Sequence, residues 1–315
     1  MHILFVSSGN SKEGISPIIK NQGNSIASIG HSVSYFTIKG KGIKGYYSSI
    51  SLLRNYLKNN SFDVIHAHYS LSAIVASLAG SKLLVVSLMG SDVKASSTLN
   101  VLIKFFSFFF WKTIIVKSKD MKASLGLDKA IVIPNGVDFQ KFKPINRAEA
   151  LKATGWTDTG KHILFAANPD RKEKNFKLSE DAFNLLDDKT FELHTLVDVP
   201  NEYIPNYMNA ADVILLTSLW EGSPNVIKEA MACNRPIVTT DVGDVRQLLK
   251  HVDGCHIVSS KASDVAKKIL DILSNKKNVE GRERLLELGL NDVKIAGDII
   301  RIYEKAINPK LNSIN

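Results

Sequence analysis

EGSPNVIKEAMACNRPIV, residues 221–238, decides how the second half of this 315-residue chain folds. Ser223 is a favourable N-cap, and Pro224 suits the first helical position, where a missing N–H costs nothing. The pattern predicts a helix over residues 224–233 and a strand over 236–240. Glu221 lies just ahead of the helix, and Glu229 falls eight residues later, in its second turn. The helix start, built from Gly222, Ser223, Pro224, Asn225 and Val226, presents unpaired backbone N–H groups and a partial positive charge. That makes an anion site, and phosphate is its usual occupant. Two carboxylates beside such a site cannot hold the anion; they suit hydroxyl groups. The implied ligand carries both phosphate and sugar, as a nucleotide sugar does. An amphipathic helix with both acids toward solvent gives the same spacing.

Strand-like and helix-like segments alternate through both halves. HILF occurs at residues 2–5 and again at 162–165, each copy opening an apolar run that ends in a polar loop. Strands are expected at 3–7, 32–37, 64–68, 83–88, 114–117 and 131–133, then at 162–166, 192–196, 213–217, 236–240 and 255–258. Helices are expected between them, for example at 50–59, 71–79, 175–187, 204–210, 245–250 and 262–275, with a last one near 293–307. This is the pattern of an α/β protein with two parallel sheets. The expected domains are 1–145, 146–292 and a final helix and tail at 293–315, with a hinge around 144–150. Parallel sheets bind ligands at the carboxyl ends of their strands, so two such domains facing each other would enclose a cleft.

The content, 44% hydrophobic and 23% charged, is that of a globular protein. Two cysteines, Cys233 and Cys255, are too few for a disulfide framework or a structural zinc site. The start, MHILFVSSGN, reads as a strand entering a loop rather than a signal peptide. No apolar run approaches the ~20 residues that span a bilayer. A cytoplasmic protein is expected, either free or peripheral on the inner face of the membrane.

The net charge of +9 is unevenly placed. Residues 1–144 hold 17 Lys/Arg against 6 Asp/Glu, and residues 145–315 hold 23 against 25. A basic half suits an anionic membrane surface, an anionic acceptor or nucleic acid, although a lysine-rich surface also arises without function. Each lysine near an anionic membrane contributes about 1 kcal/mol. No nucleic-acid-binding motif accompanies the charge, so nucleic acid is not an expected partner. Residues 101–112, VLIKFFSFFFWK, form a helix candidate whose polar residues Lys104, Ser107 and Lys112 share one side. A wholly buried helix is the expectation, and a helix lying in a membrane interface is the alternative.

The loop NPDRKEKN, residues 168–175, puts Arg171, Lys172 and Lys174 after a strand, where cations can neutralise a diphosphate. The first loop, residues 7–17, carries Gly9 and Gly14 but fits neither the dinucleotide nor the P-loop pattern. No two aspartates are two residues apart, so a D-x-D metal–diphosphate motif is absent.

These segments, with DVIHAHYSLSA (63–73), LMGSDV (88–93), VIPNGVD (132–138) and DVGDV (241–245), resemble the retaining GT-B glycosyltransferases of family 4. The similarity is greatest to exopolysaccharide and teichuronic-acid-type members. It covers most of residues 1–270 and is strongest over 210–245. The resemblance implies a GT-B fold of two Rossmann-like domains, the first binding acceptor and the second binding nucleotide sugar. It implies that Arg171 and Lys174 hold the donor diphosphate, with Lys172 a rival, that Glu229 accepts the ribose hydroxyls, and that Glu221 orients the donor sugar. His68 matches the position that faces donor sugar and acceptor. Met89 stands where the family has a histidine, near Asp92. Asp92 joins Gly9 and Gly14 as candidates for an acceptor or phosphate loop.

The implied activity is transfer from a nucleotide sugar, UDP-linked, to a glycan or lipid-linked acceptor in surface polysaccharide synthesis. Anomeric configuration would be retained, and no metal or other cofactor is expected. Two alternatives are a non-catalytic sugar-nucleotide-binding subunit at the membrane and a GT-B nucleotide-sugar epimerase, for which no obvious set of catalytic acids is present.

Overall fold

The computed structural model describes residues 1–11, 14–40, 42–93, 97–275 and 277–308. Residues 12 and 13 of the first loop and the tail beyond 308 lie outside the described residues. The chain divides into two compact units. One holds residues 1–136 and the segment from Asp292 onward; the other holds Val137–Asn291.

The first unit runs β1 (His2–Ser8), α1 (Pro17–Ser28), β2 (Ser32–Ile38), α2 (Gly42–Asn59), β3 (Val64–His68), α3 (Ser70–Leu78), β4 (Leu84–Ser87), α4 (Gly90–Val93), α5 (Ser97–Phe109), β5 (Thr113–Val116), α6 (Lys119–Leu125) and β6 (Ile131–Val132). Its six strands pair in parallel in the order β2-β1-β3-β4-β5-β6. Parallel neighbours need crossovers, and helices on both faces bury the sheet. Hence Ile3, Leu4, Phe5 and Val6 are apolar in succession and all wholly buried.

The second unit runs α7 (Arg147–Thr154), β7 (Lys161–Phe165), α8 (Phe176–Phe183), β8 (Phe191–Thr195), α9 (Ile204–Ala210), β9 (Val213–Leu216), α10 (Asn225–Ala232), β10 (Ile237–Thr240), α11 (Val245–Leu248), β11 (Cys255–Val258), α12 (Ala262–Ser274) and α13 (Gly281–Glu287). Its strands are also parallel, in the order β11-β10-β9-β7-β8. Leucine, isoleucine and valine from α8, α12 and four of the strands make its core. Burial pushes the Cys233 and Cys255 thiols up to about 12, which keeps them protonated and unreactive.

The boundary between units differs from the expected hinge. Val137 donates its N–H to the Leu290 carbonyl (3.0 Å) and pairs with Asn291. Arg282 then holds the carbonyls of Phe142 (2.8 Å) and Phe139 (2.9 Å), with its guanidinium 4.2 Å over the Phe139 ring. Those bonds draw residues 137–146 into the second unit, so the crossing falls at 136–137. Residues 144–150 lie within it.

The last helix, α14 (Asp292–Ile307), returns to the first unit. The hydroxyl of Ser25 on α1 donates to Asp292 (3.1 Å), and Tyr303, wholly buried, meets His66 Nδ1 through its hydroxyl at 2.5 Å. The other ring nitrogen of His66 meets the Ser87 hydroxyl at 2.8 Å, so both ring nitrogens are satisfied. Burial, with His68 and Lys117 close by, holds the His66 imidazole well below its usual range and keeps it neutral.

α5 overturns the expectation of a wholly buried helix. Ile103 and Phe106 reach the core, joined by Trp111 just past the helix. The opposite face is bare: Val101 is 67% exposed, Phe108 82% and Phe109 64%. The Phe105 and Phe109 rings lie 4.9 Å apart, as do those of Phe108 and Phe109, which makes a surface aromatic cluster. A helix on the outside of a sheet needs only one apolar stripe, and this one carries two. No helix among the described residues is long and apolar enough to cross a membrane.

Tyr303→Phe leaves a buried imidazole nitrogen without its partner. The unfolding free energy should fall by about 1–3 kcal/mol, read from the urea midpoint; an unchanged midpoint would contradict the packing of α14.

Candidate functional site

In the second unit the carboxyl ends of β7 and β9 are laced together by backbone and hydroxyl groups. The buried Thr217 hydroxyl lies within bonding distance of the Lys174 (3.2 Å) and Asn175 (3.0 Å) carbonyls and meets the Ser179 hydroxyl at 2.8 Å. Leu219 donates its N–H to the Glu173 carbonyl at 2.9 Å. Asn175 takes a left-handed conformation (φ 52°), which ends the short 3₁₀ turn Lys172–Lys174 and starts α8. Asparagine tolerates that conformation better than most residues.

This lacing brings Lys174 to Glu221. Their side chains, 11% and 16% exposed, meet at 2.5 Å through Glu221 Oε1, which also accepts from the Ser218 hydroxyl at 2.8 Å. Oε2 has no hydrogen-bond partner among the described residues. Arg171 is exposed and turns its guanidinium onto Glu173 (Nε to Oε1 2.8 Å). Lys172 is exposed beside it.

Ser223 is not the cap that the pattern suggests. α10 starts one residue later than expected, with Pro224 at the cap position and no side-chain cap bond. The Ser223 hydroxyl donates instead to Asp244 (2.7 Å) and accepts from Lys228 Nζ (3.1 Å). The reason is the next loop: Gly243, at φ +57°, lies so close that a Cβ there would stand 2.6 Å from the Gly222 carbonyl oxygen. Asp244 is thereby held against Ser223, and α10 begins without a side-chain cap bond from its cap residue.

Glu229 follows on α10 with its carboxyl pushed up to about 7 by burial, while Lys141 and Lys228 pull the other way. Its carboxyl makes no hydrogen bond among the described residues, while its backbone carbonyl accepts from the Cys233 N–H (3.1 Å). Lys228 is wholly buried, and burial lowers its ammonium to about 8 against the pull of Asp244 and Glu229. Nothing in the sequence pattern singles out Lys228, because a lysine beside a glutamate on an amphipathic helix ordinarily faces solvent.

In the first unit a cavity of about 270 Å³ opens at the carboxyl ends of β1 and β3. Ser8, Ser16, Tyr46, Tyr69 and Asp92 are among its lining residues. Tyr69 sits at φ 71°, a strained conformation for a bulky residue and one that gathers at binding sites. Asp92 accepts from the Ser70 N–H (3.2 Å) and hydroxyl (3.0 Å) and from the Met89 N–H (2.8 Å). Burial pushes its carboxyl up to about 6 against those bonds. Asp92 therefore braces the start of α3 while reaching the cavity wall.

His68 is 1% exposed, with the Phe5 ring edge-on at 4.6 Å and the His66 ring tilted at 4.2 Å. Burial, with Lys117 nearby, lowers it to about 3. It lies in the core below the cavity, and Tyr69, the next residue, lines the wall instead. Gly9 has a packing role, since a Cβ there would stand 2.8 Å from Thr37 Cβ on β2. Gly14, at φ +78°, closes a turn onto the Ser11 carbonyl (2.9 Å). Neither glycine lines the cavity.

Residues 162–275 match the family model described as Glycosyl transferases group 1, and residues 21–141 match that of Glycosyltransferase Family 4. The Escherichia coli UDP-Gal:alpha-D-GlcNAc-diphosphoundecaprenol alpha-1,3-galactosyltransferase is 27% identical over 253 residues, which are 66% of this chain and 65% of that protein. The Bacillus subtilis glycosyltransferase TuaC, assigned to teichuronic acid biosynthesis, is 28% identical over 218 residues, 60% of this chain and 56% of that one. This chain thus spans less than two thirds of the length of either. Among solved structures, a sucrose-phosphate synthase from Thermosynechococcus elongatus superposes with a TM-score of 0.82 at 18% identity, covering 97% of this chain and 98% of the other. That likeness is one of fold.

Thr217→Val keeps the side-chain shape and removes the hydroxyl that joins the two loops. Stability should fall by about 1–3 kcal/mol, measured by chemical unfolding; a variant as stable as the parent would show that the lacing contributes nothing.

Proposed function

Because this chain belongs to glycosyltransferase family 4 and has the GT-B fold, we propose that it transfers a sugar from a nucleotide-sugar donor, UDP-linked, to a glycan or lipid-linked acceptor. One observation carries the reading: the sheltered Lys174–Glu221 pair at the strand ends ahead of α10, with the Glu229 carboxyl on that helix pushed up to about 7 by burial. The name of the Escherichia coli relative, with its UDP-linked donor and lipid diphosphate acceptor, supports both substrate classes.

Breaking the bond from anomeric carbon to phosphate oxygen puts negative charge on the leaving diphosphate. Preset donors there lower the barrier, each worth about 3–4 kcal/mol. Lys174 carries three N–H donors, so it can keep one on Glu221 and turn others to the phosphate. The N–H groups of the first turn of α10 supply further donors. Arg171 and Lys172, both exposed, supply long-range positive charge and close on the diphosphate when it arrives. No metal ion is assigned to the transfer. Glu221 Oε2 takes a sugar hydroxyl, and Glu229 takes the ribose.

Retention follows from the family resemblance, with front-face attack and the leaving phosphate taking the acceptor proton. The acceptor is assigned to the first-unit cavity at Tyr69 and Asp92. Buried His68 is assigned no contact with substrate. A role in surface polysaccharide synthesis agrees with the assignment of TuaC.

The bare face of α5 adds a membrane partner. Its aromatic cluster, flanked by exposed Lys104 and Lys112, lies in the basic half, where 17 Lys/Arg stand against 6 Asp/Glu. Aromatics inserted at the interface and lysines at headgroups fit an anionic bilayer surface. That surface is where a lipid-linked acceptor resides.

Glu229 is neutral below about pH 7 and a carboxylate above it, and only the carboxylate accepts two ribose hydroxyls. UDP affinity, measured by calorimetry, should therefore rise from pH 6 to pH 8. Glu229→Gln should abolish that rise and weaken binding roughly 10- to 100-fold. An unchanged affinity removes Glu229 from the donor site. In flotation assays the protein should bind vesicles containing phosphatidylglycerol, and the triple variant Phe105→Ser, Phe108→Ser, Phe109→Ser should lose most of that binding. Equal binding by parent and variant would exclude α5 as the docking face.

A further inference from the structure

On the β7–β8 edge of the second unit, His162, Glu192 and His194 share one face. Strand register produces the cluster. His162 pairs with Glu192, and Leu164 with His194, so alternate residues of the two adjacent strands project together. Sequence spacing hides it, since the two strands are about thirty residues apart.

The three ligand-type atoms form a nearly regular triangle. His162 Nδ1 lies 3.0 Å from His194 Nε2 and 3.7 Å from Glu192 Oε2, and the third side is 3.4 Å. A tetrahedral ion held at about 2.0–2.1 Å from nitrogen and oxygen ligands sets them roughly 3.3–3.4 Å apart. The His162 tautomer suits that use. Its Nε2 meets the Thr157 carbonyl at 2.7 Å, and a carbonyl only accepts, so Nε2 carries the hydrogen and Nδ1 presents a lone pair to the triangle. A histidine ligand oriented by a backbone carbonyl through its other nitrogen is the usual outer-shell arrangement of metal sites.

The surroundings hold the other groups in place. Trp156 stacks on His194 at 3.7 Å and 17° and lies 4.8 Å from His162. Gly160 leaves the space that the carboxylate needs: a Cβ there would stand 2.6 Å from Glu192 Oε1 and 3.0 Å from the His162 ring. The His162 side chain is wholly buried, that of His194 is 19% exposed and that of Glu192 43%. An ion could enter from the Glu192 side and keep a water there as a fourth ligand.

We propose that His162 Nδ1, His194 Nε2 and Glu192 form a binding site for a divalent transition-metal ion of the Zn(II) class. Two imidazoles and one carboxylate suit such an ion better than Mg(II) or Ca(II), which take oxygen ligands. The ion clips the edge strand β8 to β7. It has no part in sugar transfer, because the cluster lies on the sheet face ahead of the loop that carries Lys174.

The test uses the untagged full chain, stripped with EDTA and titrated with Co(II). Visible absorption bands of tetrahedral Co(II) should grow to saturation at one equivalent and disappear on adding Zn(II). Zn(II) should also raise the melting temperature. Glu192→Gln, at a half-exposed position, and His194→Ala should each weaken binding at least about tenfold, since losing even an outer-shell partner costs that much. Circular dichroism checks that both variants are folded. Featureless Co(II) spectra, or the same affinity in parent and variants, would overturn the site and leave only a His162–His194 hydrogen bond. UDP binding by the stripped protein separates this outcome from the donor reading: it should persist in EDTA whether or not the metal site exists.

Discussion

The Lys174–Glu221 ion pair is the contact on which the proposed donor site rests. Its partners come from loops after different strands, and neither side chain is more than 16% exposed. A pair this sheltered is stable only where the geometry is good and further hydrogen bonds support it. The support is visible: Ser218 shares the Glu221 oxygen, Thr217 gathers the Lys174 and Asn175 carbonyls, and Leu219 ties back to Glu173. A parallel sheet makes this convergence possible, because all its strands deliver their loops to the same edge. The pair also holds the Lys174 ammonium against a neutralising carboxylate.

The same edge explains why Ser223 does not cap α10. Ser223, the residue that would otherwise cap it, is drawn away into a bridge between Asp244 and the buried Lys228. Glu229, lifted to about 7, adds a second carboxyl that is costly to bury alone. The first unit has a parallel logic. Its strand ends carry a cavity walled by the strained Tyr69 and by Asp92, and its outer helix α5 leaves phenylalanines in solvent.

Much of this was legible before any coordinates. Strands at 64–68 and 255–258 and the helix at 204–210 agree residue for residue with the fold, because buried parallel strands are short apolar runs bounded by turns. Lys174, Glu221 and Glu229 were singled out from the sequence, and the fold brings the first two together at the strand ends ahead of the helix that carries the third. Other features depend on tertiary packing. α1, with Gly23 and many polar residues, has too weak a pattern to stand out. An apolar helix reads the same whether a neighbour covers it or not, so the exposure of α5 was invisible. The Ser223 cap failed because a loop twenty residues away competes for its hydroxyl. His68 sits at the expected strand end yet turns inward, since strand alternation puts it on the face shared with His66. The His162–Glu192–His194 cluster arises only from strand register.

The central claim is that a nucleotide binds across the start of α10. A crystal structure of the protein with UDP tests it most directly. The account predicts diphosphate oxygens within hydrogen-bonding distance of Lys174 Nζ and the first-turn N–H groups of α10, with the ribose hydroxyls on Glu229. A nucleotide seated elsewhere, with the Lys174–Glu221 pair and Glu229 untouched by it, would contradict the account.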